Sequence, residues 1–377
     1  MESKSIKFYI YCTLAFIYFI PIELIFGVWN SAPYHLYTCL MGMVYFVNMI
    51  RKGKIKKTTL ALWMGIILIC FYTKKFGFLD LLLIPIVDDL INNKNRVNAI
   101  LKKNKLVYLA LFFSFIYTII YNKVGFNGRG ADAGSGFMTC TALGEVNLAG
   151  LSIFLLYGLA KNKYKYLSKI ILIFGIFTFS RSYFLAIICI ILCSTRLVNK
   201  LIEKLIRKLS YINLTLISSV FMFGLAILQI SVFLNNRIVA MQLNSGFARM
   251  FQLNDYSNFY RMLAIFIVVA IYVYYPKFLL VGITDDEYLL YGREIANNLN
   301  VPFIGIGPHN LFFSHLKIYG IGVVFEVFFI SKYLKKIVNK NNFGFFIAVL
   351  LYAIVMGSGF NNWWLFLITI VLIVNEK

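Results

Sequence analysis

The chain has 377 residues, of which 60% are hydrophobic and only 14% are charged. Soluble domains carry about 25% charged residues, so this composition excludes an ordinary soluble enzyme and a disordered chain. The apolar runs are also too long, and alternate too little, for an outer-membrane barrel. The composition therefore predicts an all-α polytopic membrane protein.

Apolar runs along the chain predict about twelve transmembrane helices within one integral membrane domain, residues 1–377. The first run follows a short basic N-terminus and lacks a small-residue cleavage site, which favours an uncleaved span over a signal peptide. The fourth run is interrupted by Asp80 and Pro85, so it either spans the membrane or forms a re-entrant segment. The predicted spans are 8–29, 34–50, 58–73, 76–91, 106–121, 146–160, 166–179, 183–195, 211–234, 311–330, 343–357 and 362–374.

The formal net charge of +22 comes from 37 Lys and Arg against 15 Asp and Glu. With the N-terminus placed inside, 26 of the 37 basic residues fall in the inner segments, as the positive-inside rule requires. Membrane orientation therefore accounts for the charge, and a nucleic-acid partner is disfavoured. Both termini are predicted to be cytoplasmic.

Two of the predicted outer loops are long. The first covers residues 122–145, and the second, between the ninth and tenth spans, covers residues 235–310. The second contains an apolar stretch, residues 262–275, which is short for a span and predicts an interfacial helix that carries part of the site. Six of the eleven outer basic residues are Arg, against four of the 26 inner ones. Arg is favoured where a planar fork holds phosphate or carboxylate, so the outer face is the candidate site.

The first candidate element is the turn Ser180-Arg181-Ser182, which separates two apolar runs on the outer side. Ser180 is a good N-cap, and the N-terminus of the helix that follows favours an anion. Arg181 adds a full charge at membrane depth, where ionisable residues are costly. An arginine that simply extends to the interface is an equally plausible interpretation.

The second element is residues 305–310 (GIGPHN), which open the tenth span. Asn310 is a good N-cap. His309 is a candidate general base, or a candidate hydrogen-bond donor to a phosphate. Arg261 opens the interfacial helix at the depth of lipid phosphates. The alternatives are a turn histidine that bonds backbone carbonyls and an ordinary headgroup anchor.

Three further residues are candidate substrate binders. Arg129 lies in a Gly-rich outer loop and either folds over a ligand or is a solvated charge. Glu145 and Asn147 open the sixth span and are either cap residues or ligands for sugar hydroxyls. Spacings for a metal site, a Walker loop or a dinucleotide fingerprint are lacking, so neither a metal nor a cofactor is expected.

Several of these motifs, in this order, resemble the O-antigen polymerase and O-antigen ligase family (Wzy and WaaL) of bacterial surface polysaccharide assembly. The resemblance covers roughly half the chain, residues 144–330. It rests on the start of the sixth span, the Ser-Arg turn, the loop arginine, the His-Asn signature and the Gly-rich segment behind it: residues 144–147 (GEVN), residues 178–183 (TFSRSY), Arg261, residues 307–311 (GPHNL) and residues 319–322 (YGIG).

The resemblance implies a metal-independent glycosyltransferase in the bacterial inner membrane. Its substrate would be an oligosaccharide linked to undecaprenyl diphosphate, with a chain-length regulator as a further candidate partner. Arg181 and Arg261 would clamp the diphosphate, with Arg129 as a third arginine, and His309 would deprotonate the acceptor hydroxyl. Ser180, Asn310, Asn147 and Glu145 would bind substrate.

The polymerase, which extends a lipid-linked repeat unit, is favoured within the family because the outer loops are modest. The ligase, which transfers polymer to lipid A core, shares the motifs and remains open. Outside the family, the alternatives are a lipid-linked oligosaccharide flippase or another transporter, and a membrane sensor. A transporter is expected to place charged residues at the midplane between repeats, whereas the Arg and His candidates collect at the outer surface.

Overall fold

A computed structural model describes residues 3–26, 32–53, 57–73, 75–103, 105–124, 138–144, 146–195, 198, 211–236, 256–356 and 362–376. All regular structure within these ranges is helical, which confirms the all-α part of the predicted fold class. Two of the described helices are long and apolar enough to cross a membrane, at Leu106–Lys123 and Tyr211–Ser231. The twelve-span topology stays a prediction.

The helices of the first half of the described chain are α1 to α9. A π-helical turn, Ala15–Phe19, follows α1, and a 3-10 helix, Phe76–Leu83, precedes α5. In chain order the helices are α1 Ser3–Leu14, α2 Ile22–Phe26, α3 Ala32–Arg51, α4 Lys57–Thr73, α5 Ile84–Asn92, α6 Lys94–Lys103, α7 Leu106–Val124, α8 Val146–Ala160 and α9 Lys165–Ile176.

The helices of the second half are α10 to α18. In chain order they are α10 Arg181–Ser194, α11 Tyr211–Asn236, α12 Tyr256–Tyr274, α13 Phe278–Val281, α14 Asp285–Asn298, α15 Leu311–Tyr319, α16 Gly322–Leu334, α17 Phe343–Met356 and α18 Asn362–Val374.

Helices α8 and α18 lie at the centre of the bundle. Both are apolar around the whole helix, as expected of helices buried on every side, and nearly all of their described side chains are buried. They pack on each other, and α18 also contacts α1, α5, α6 and α17. On the periphery the exposed side chains are apolar too: Leu68 of α4 is 65% exposed and Val220 of α11 is 73% exposed. A surface of this kind fits a lipid environment rather than water.

Three predicted spans are interrupted. The first run bends through the π-helical turn and Pro21 before α2, since proline breaks the backbone ladder. The fourth run, 76–91, divides into the 3-10 helix and α5, with Pro85 in the first turn of α5. The tenth run, 311–330, breaks at Gly320, which has φ +57° and separates α15 from α16.

The break at Gly320 has a visible cause in the packing of α13. A Cβ atom on Gly320 would lie 2.3 Å from the Leu279 carbonyl oxygen, so the two backbones meet there. The Ile321 amide donates to the same carbonyl at 2.7 Å. The backbone of α13 therefore occupies space through which a continuous helix would have passed.

The long loop 235–310 contains more helix than its sequence pattern predicted. The predicted helix 262–275 is part of α12, which begins at Tyr256 and packs on α11, α14 and α15. The acidic residues Asp285-Asp286-Glu287 form the first turn of α14. Thr284 and Glu287 cap this helix reciprocally, and a Thr followed by a Glu three positions later is the sequence signature of such a capping box.

Candidate functional site

Ser180 caps the N-terminus of α10, as predicted. Its hydroxyl oxygen accepts a hydrogen bond from the Tyr183 amide at 3.4 Å and donates to Asn147 Oδ1 at 3.2 Å. Arg181 follows as the first residue of α10 and is partly buried. The start of α8 and the start of α10, two of the predicted elements, are therefore joined through the Ser180 and Asn147 side chains.

The turn before Ser180 is tightly determined by its surroundings. Phe179 has φ +52°, an uncommon conformation for a residue other than glycine. Thr178 Oγ1 donates to the Gly175 carbonyl at 2.7 Å, and the Thr139 amide donates to the Phe177 carbonyl at 2.9 Å. The ring of Tyr183 occupies the place where a Cβ atom on Gly175 would lie. These contacts hold the N-terminus of α10 in one position.

The segment 138–144 lies against this turn without regular structure, yet every residue in it is buried. Side chains of α7 satisfy its backbone. Asn122 both accepts from the Met138 amide at 2.9 Å and donates to the Met138 carbonyl at 2.7 Å, and Thr118 accepts from the Cys140 amide at 3.0 Å. Tyr121 donates to the Ala142 carbonyl at 3.1 Å. Irregular backbone that is buried away from water needs protein groups to pair with its amides and carbonyls.

Asn310 caps α15, also as predicted. Its side-chain oxygen accepts from the Phe313 amide at 3.3 Å, and its side-chain nitrogen donates to the Ile354 carbonyl at 3.1 Å. The side chain is only 1% exposed, so both of its polar ends are used inside the protein. Asn310 therefore fixes the loop that carries His309 to α17.

His309 and Arg261 are brought together although 48 positions separate them in the chain. Burial, and then the positive charge of Arg261, lower the pKa of His309 from 6.5 to about 3. The imidazole is therefore neutral near pH 7. A neutral imidazole beside a guanidinium offers one acceptor nitrogen next to a fixed positive charge.

Both centres are connected to residues near the end of α17. Ile354 accepts the hydrogen bond from Asn310, and the Tyr352 hydroxyl lies beside Gly150, which also touches Ser180. Tyr352 and Ile354 are two residues apart, so the same stretch of α17 supports both the Ser180–Arg181 turn and the loop that carries His309.

Two predicted residues, Arg129 and Glu145, lie outside the residues that the structure describes. Within the described ranges, no group of three or more His, Cys, Asp and Glu residues could hold a metal ion.

A buried histidine–glutamate pair that the sequence did not indicate lies between α15 and α16. His315 Nδ1 lies 2.6 Å from Glu326 Oε2, and both side chains are about 5% exposed or less. The pair joins α15 to α16 across the break at Gly320. In a continuous helix, residues eleven positions apart lie about 16 Å apart along the axis, so their spacing did not predict a contact.

No family model, curated protein or solved structure matches this chain in comparisons with known proteins.

Proposed function

We propose that this protein is an oligosaccharide repeat-unit polymerase. It transfers a growing glycan from undecaprenyl diphosphate to the next lipid-linked repeat unit at the outer leaflet of a bacterial inner membrane. The observations that carry the proposal are the capped N-terminus of α10 with Arg181 at its first position, and the neutral His309 beside Arg261 at the capped N-terminus of α15. Such an arrangement suits an anionic leaving group and a hydroxyl nucleophile.

The leaving group of this reaction is a lipid diphosphate. Arg181 is at the first position of α10, where the helix dipole adds to its charge. Arg261 supplies the second charge beside His309. Two arginines and a helix end neutralise the diphosphate without a metal, and Ser180, Asn147 and Asn310 hold these groups in place.

The bond changes balance with His309 as the base. The acceptor hydroxyl oxygen forms a bond to the anomeric carbon, the bond from that carbon to the diphosphate oxygen breaks, and its electron pair leaves with the diphosphate. The hydroxyl proton passes to the neutral His309. A pKa of about 3 makes the imidazole a weak base in the empty site. A bound diphosphate counteracts Arg261 and strengthens it, because a nearby anion favours the protonated form.

The multi-pass topology belongs to the same proposal. Besides the two long apolar helices, five shorter apolar helices of 10–17 residues are described outside the segment 235–310. With the exposed apolar periphery, they support a bundle that crosses the inner membrane about twelve times with both termini in the cytoplasm. The segment 235–310 then forms an outer layer, and a chain-length regulator is a candidate partner there.

A transporter of lipid-linked oligosaccharide is the second candidate, because of one specific observation. The His315–Glu326 pair is buried where α15 breaks into α16. Ionisable residues within a membrane bundle typically mark transport or proton pathways. The O-antigen ligase remains an alternative within the first class, since it would use the same outer residues.

A deletion strain separates these three functions. Surface polysaccharide is resolved on a gel, and the lipid-linked intermediates are analysed by mass spectrometry. A polymerase deletion leaves one repeat on the acceptor and no ladder. Long chains stranded on undecaprenyl diphosphate identify a ligase, and single repeats trapped on the inner leaflet identify a flippase; either result refutes the polymerase.

Arg181 provides the residue-level test. Loss of one preorganised charge donor typically costs about 10²–10³ in rate, so we expect Arg181→Ala to remove nearly all polymer. Arg181→Lys should restore it only in part, because an ammonium lacks the planar fork. Arg293→Ala is the matched control, since Arg293 is exposed on α14. Full-length polymer from Arg181→Ala at normal expression contradicts the assignment.

A further inference from the structure

A cavity of about 470 Å³ lies where the turn between α5 and α6 meets the end of α16. Residues 91–96 and Lys336 line it, so three of the seven lining residues are basic and none is acidic. This end of the bundle carries the segments 94–105 and 332–340, which the charge distribution predicts to be cytoplasmic. The cavity is therefore separate from the centre at His309, and what it binds does not depend on the proposed function.

Carboxylates outside the cavity hold two of the basic side chains at its wall. Lys336 Nζ lies 2.6 Å from Asp88 Oδ1, and Lys94 pairs with Glu376 near the C-terminus. Both lysine side chains remain 39% exposed. An ammonium has three donors, and each pair uses one of them. Each lysine is thus fixed in place with donors left for a second anion.

The helix beside the cavity is suited to a membrane surface. On α6, Val97 and Ile100 are buried in the bundle, while Asn95, Arg96 and Lys102 are exposed. A short, basic, amphipathic helix of this kind is typical of segments that lie at a lipid headgroup layer. Arg96 is the third basic residue of the cavity, and its planar fork suits phosphate oxygens.

We propose that this cavity binds a phosphate-bearing ligand, between Lys94 and Arg96 on one side and Lys336 on the other. Basic pockets between helices on the cytoplasmic side are known to hold anionic headgroups. The phosphate belongs either to an anionic phospholipid or to a free phosphate ester, and the two sources share the same contacts.

The test uses the full-length protein purified in an uncharged detergent. Thermal unfolding is followed while phosphatidylglycerol, phosphatidylcholine or glycerol phosphate is added. We expect saturable stabilisation by phosphatidylglycerol and none by phosphatidylcholine. Arg96→Gln should weaken the apparent affinity about fivefold, the effect of one basic residue at an anionic surface. Lys102→Gln removes the same charge from the same helix outside the cavity and should leave the affinity unchanged.

Asn95→Asp provides a second variant that removes no existing contact. Asn95 is exposed at the cavity, so an added carboxylate should weaken binding without affecting the fold. Stabilisation by glycerol phosphate that competes with the lipid identifies a free phosphate ester as a ligand, whereas an effect of the lipid alone identifies the headgroup. Equal stabilisation by both phospholipids, or equal loss in Lys102→Gln and Arg96→Gln, overturns the proposal.

Discussion

The charge of Arg261 should be measurable through the titration of His309. In the wild type the pKa of His309 is lowered to about 3, so at pH 7 roughly one imidazole in 10⁴ is protonated. Arg261→Gln removes the like charge but leaves burial, the larger cause, in place. The pKa of His309 should therefore rise and yet remain below 6.5. Arg261→Lys keeps the charge and should leave the titration near its wild-type position.

The same shift sets a pH dependence of stability. The pKa of His309 is lower in the folded state than in the unfolded chain, so the unfolded chain binds more protons between pH 6.5 and about 3. Stability therefore falls as the pH falls through 6.5, by at most about 1.4 kcal/mol per pH unit. From pH 6.5 to 5 the upper bound is about 2 kcal/mol. Because His309 is only partly buried, we expect about half of that.

NMR of protein labelled at histidine ring carbons follows the titration directly, and His309→Gln identifies the signal among the three histidines. Thermal unfolding at pH 7 and pH 5 gives the stability change, which His309→Gln should reduce. A wild-type His309 that titrates near 6.5, or an Arg261→Gln variant with an unchanged titration, refutes the electrostatic coupling between these two residues.

Two substitutions test the backbone features of the site. Gly282→Ala should cost more than about 2 kcal/mol in thermal unfolding, because Gly282 has φ +74° and an added Cβ would lie 2.2 Å from the Ile318 carbonyl oxygen. Gly307→Ala, with open space around its Cβ position, should cost less than about 0.5 kcal/mol. Ser180→Ala should lower the free energy of unfolding by about 1 kcal/mol because α10 loses its cap, whereas Ser194→Ala, at an exposed position, should change it little. Equal stability of the two glycine variants would contradict the backbone contact at Gly282, and equal stability of the two serine variants would contradict the cap at Ser180.

Local features of the site were predictable from the sequence, and distant ones were not. The caps at Ser180 and Asn310 depend on an amide three positions away, so the chain shows them directly. The break at Gly320 depends on the Leu279 carbonyl, 41 positions earlier, and the glycines at 320 and 322 alone do not show whether the helix continues. An apolar run that continues through Gly320 therefore predicted one helix instead of two.

The segment 235–310 shows the same limit in another form. Hydropathy detected the apolar part of α12, but α14 is polar and gives no hydropathy signal. Its capping box was a usable signal. Only the family resemblance suggested that Arg261 and His309 share one site, since neither residue alone indicates a partner 48 positions away.

The buried, irregular segment 138–144 has a consequence for biosynthesis. Its backbone amides and carbonyls are paired by Thr118, Tyr121 and Asn122 of α7, so the segment has no stable place in a bilayer before α7 is there. The turn before α10 rests on the same segment, because the Thr139 amide donates to the Phe177 carbonyl. We therefore expect the turn at Ser180 to form only after α7 and the segment have packed together. A substitution at Asn122 should then slow maturation of the site without changing any residue in it.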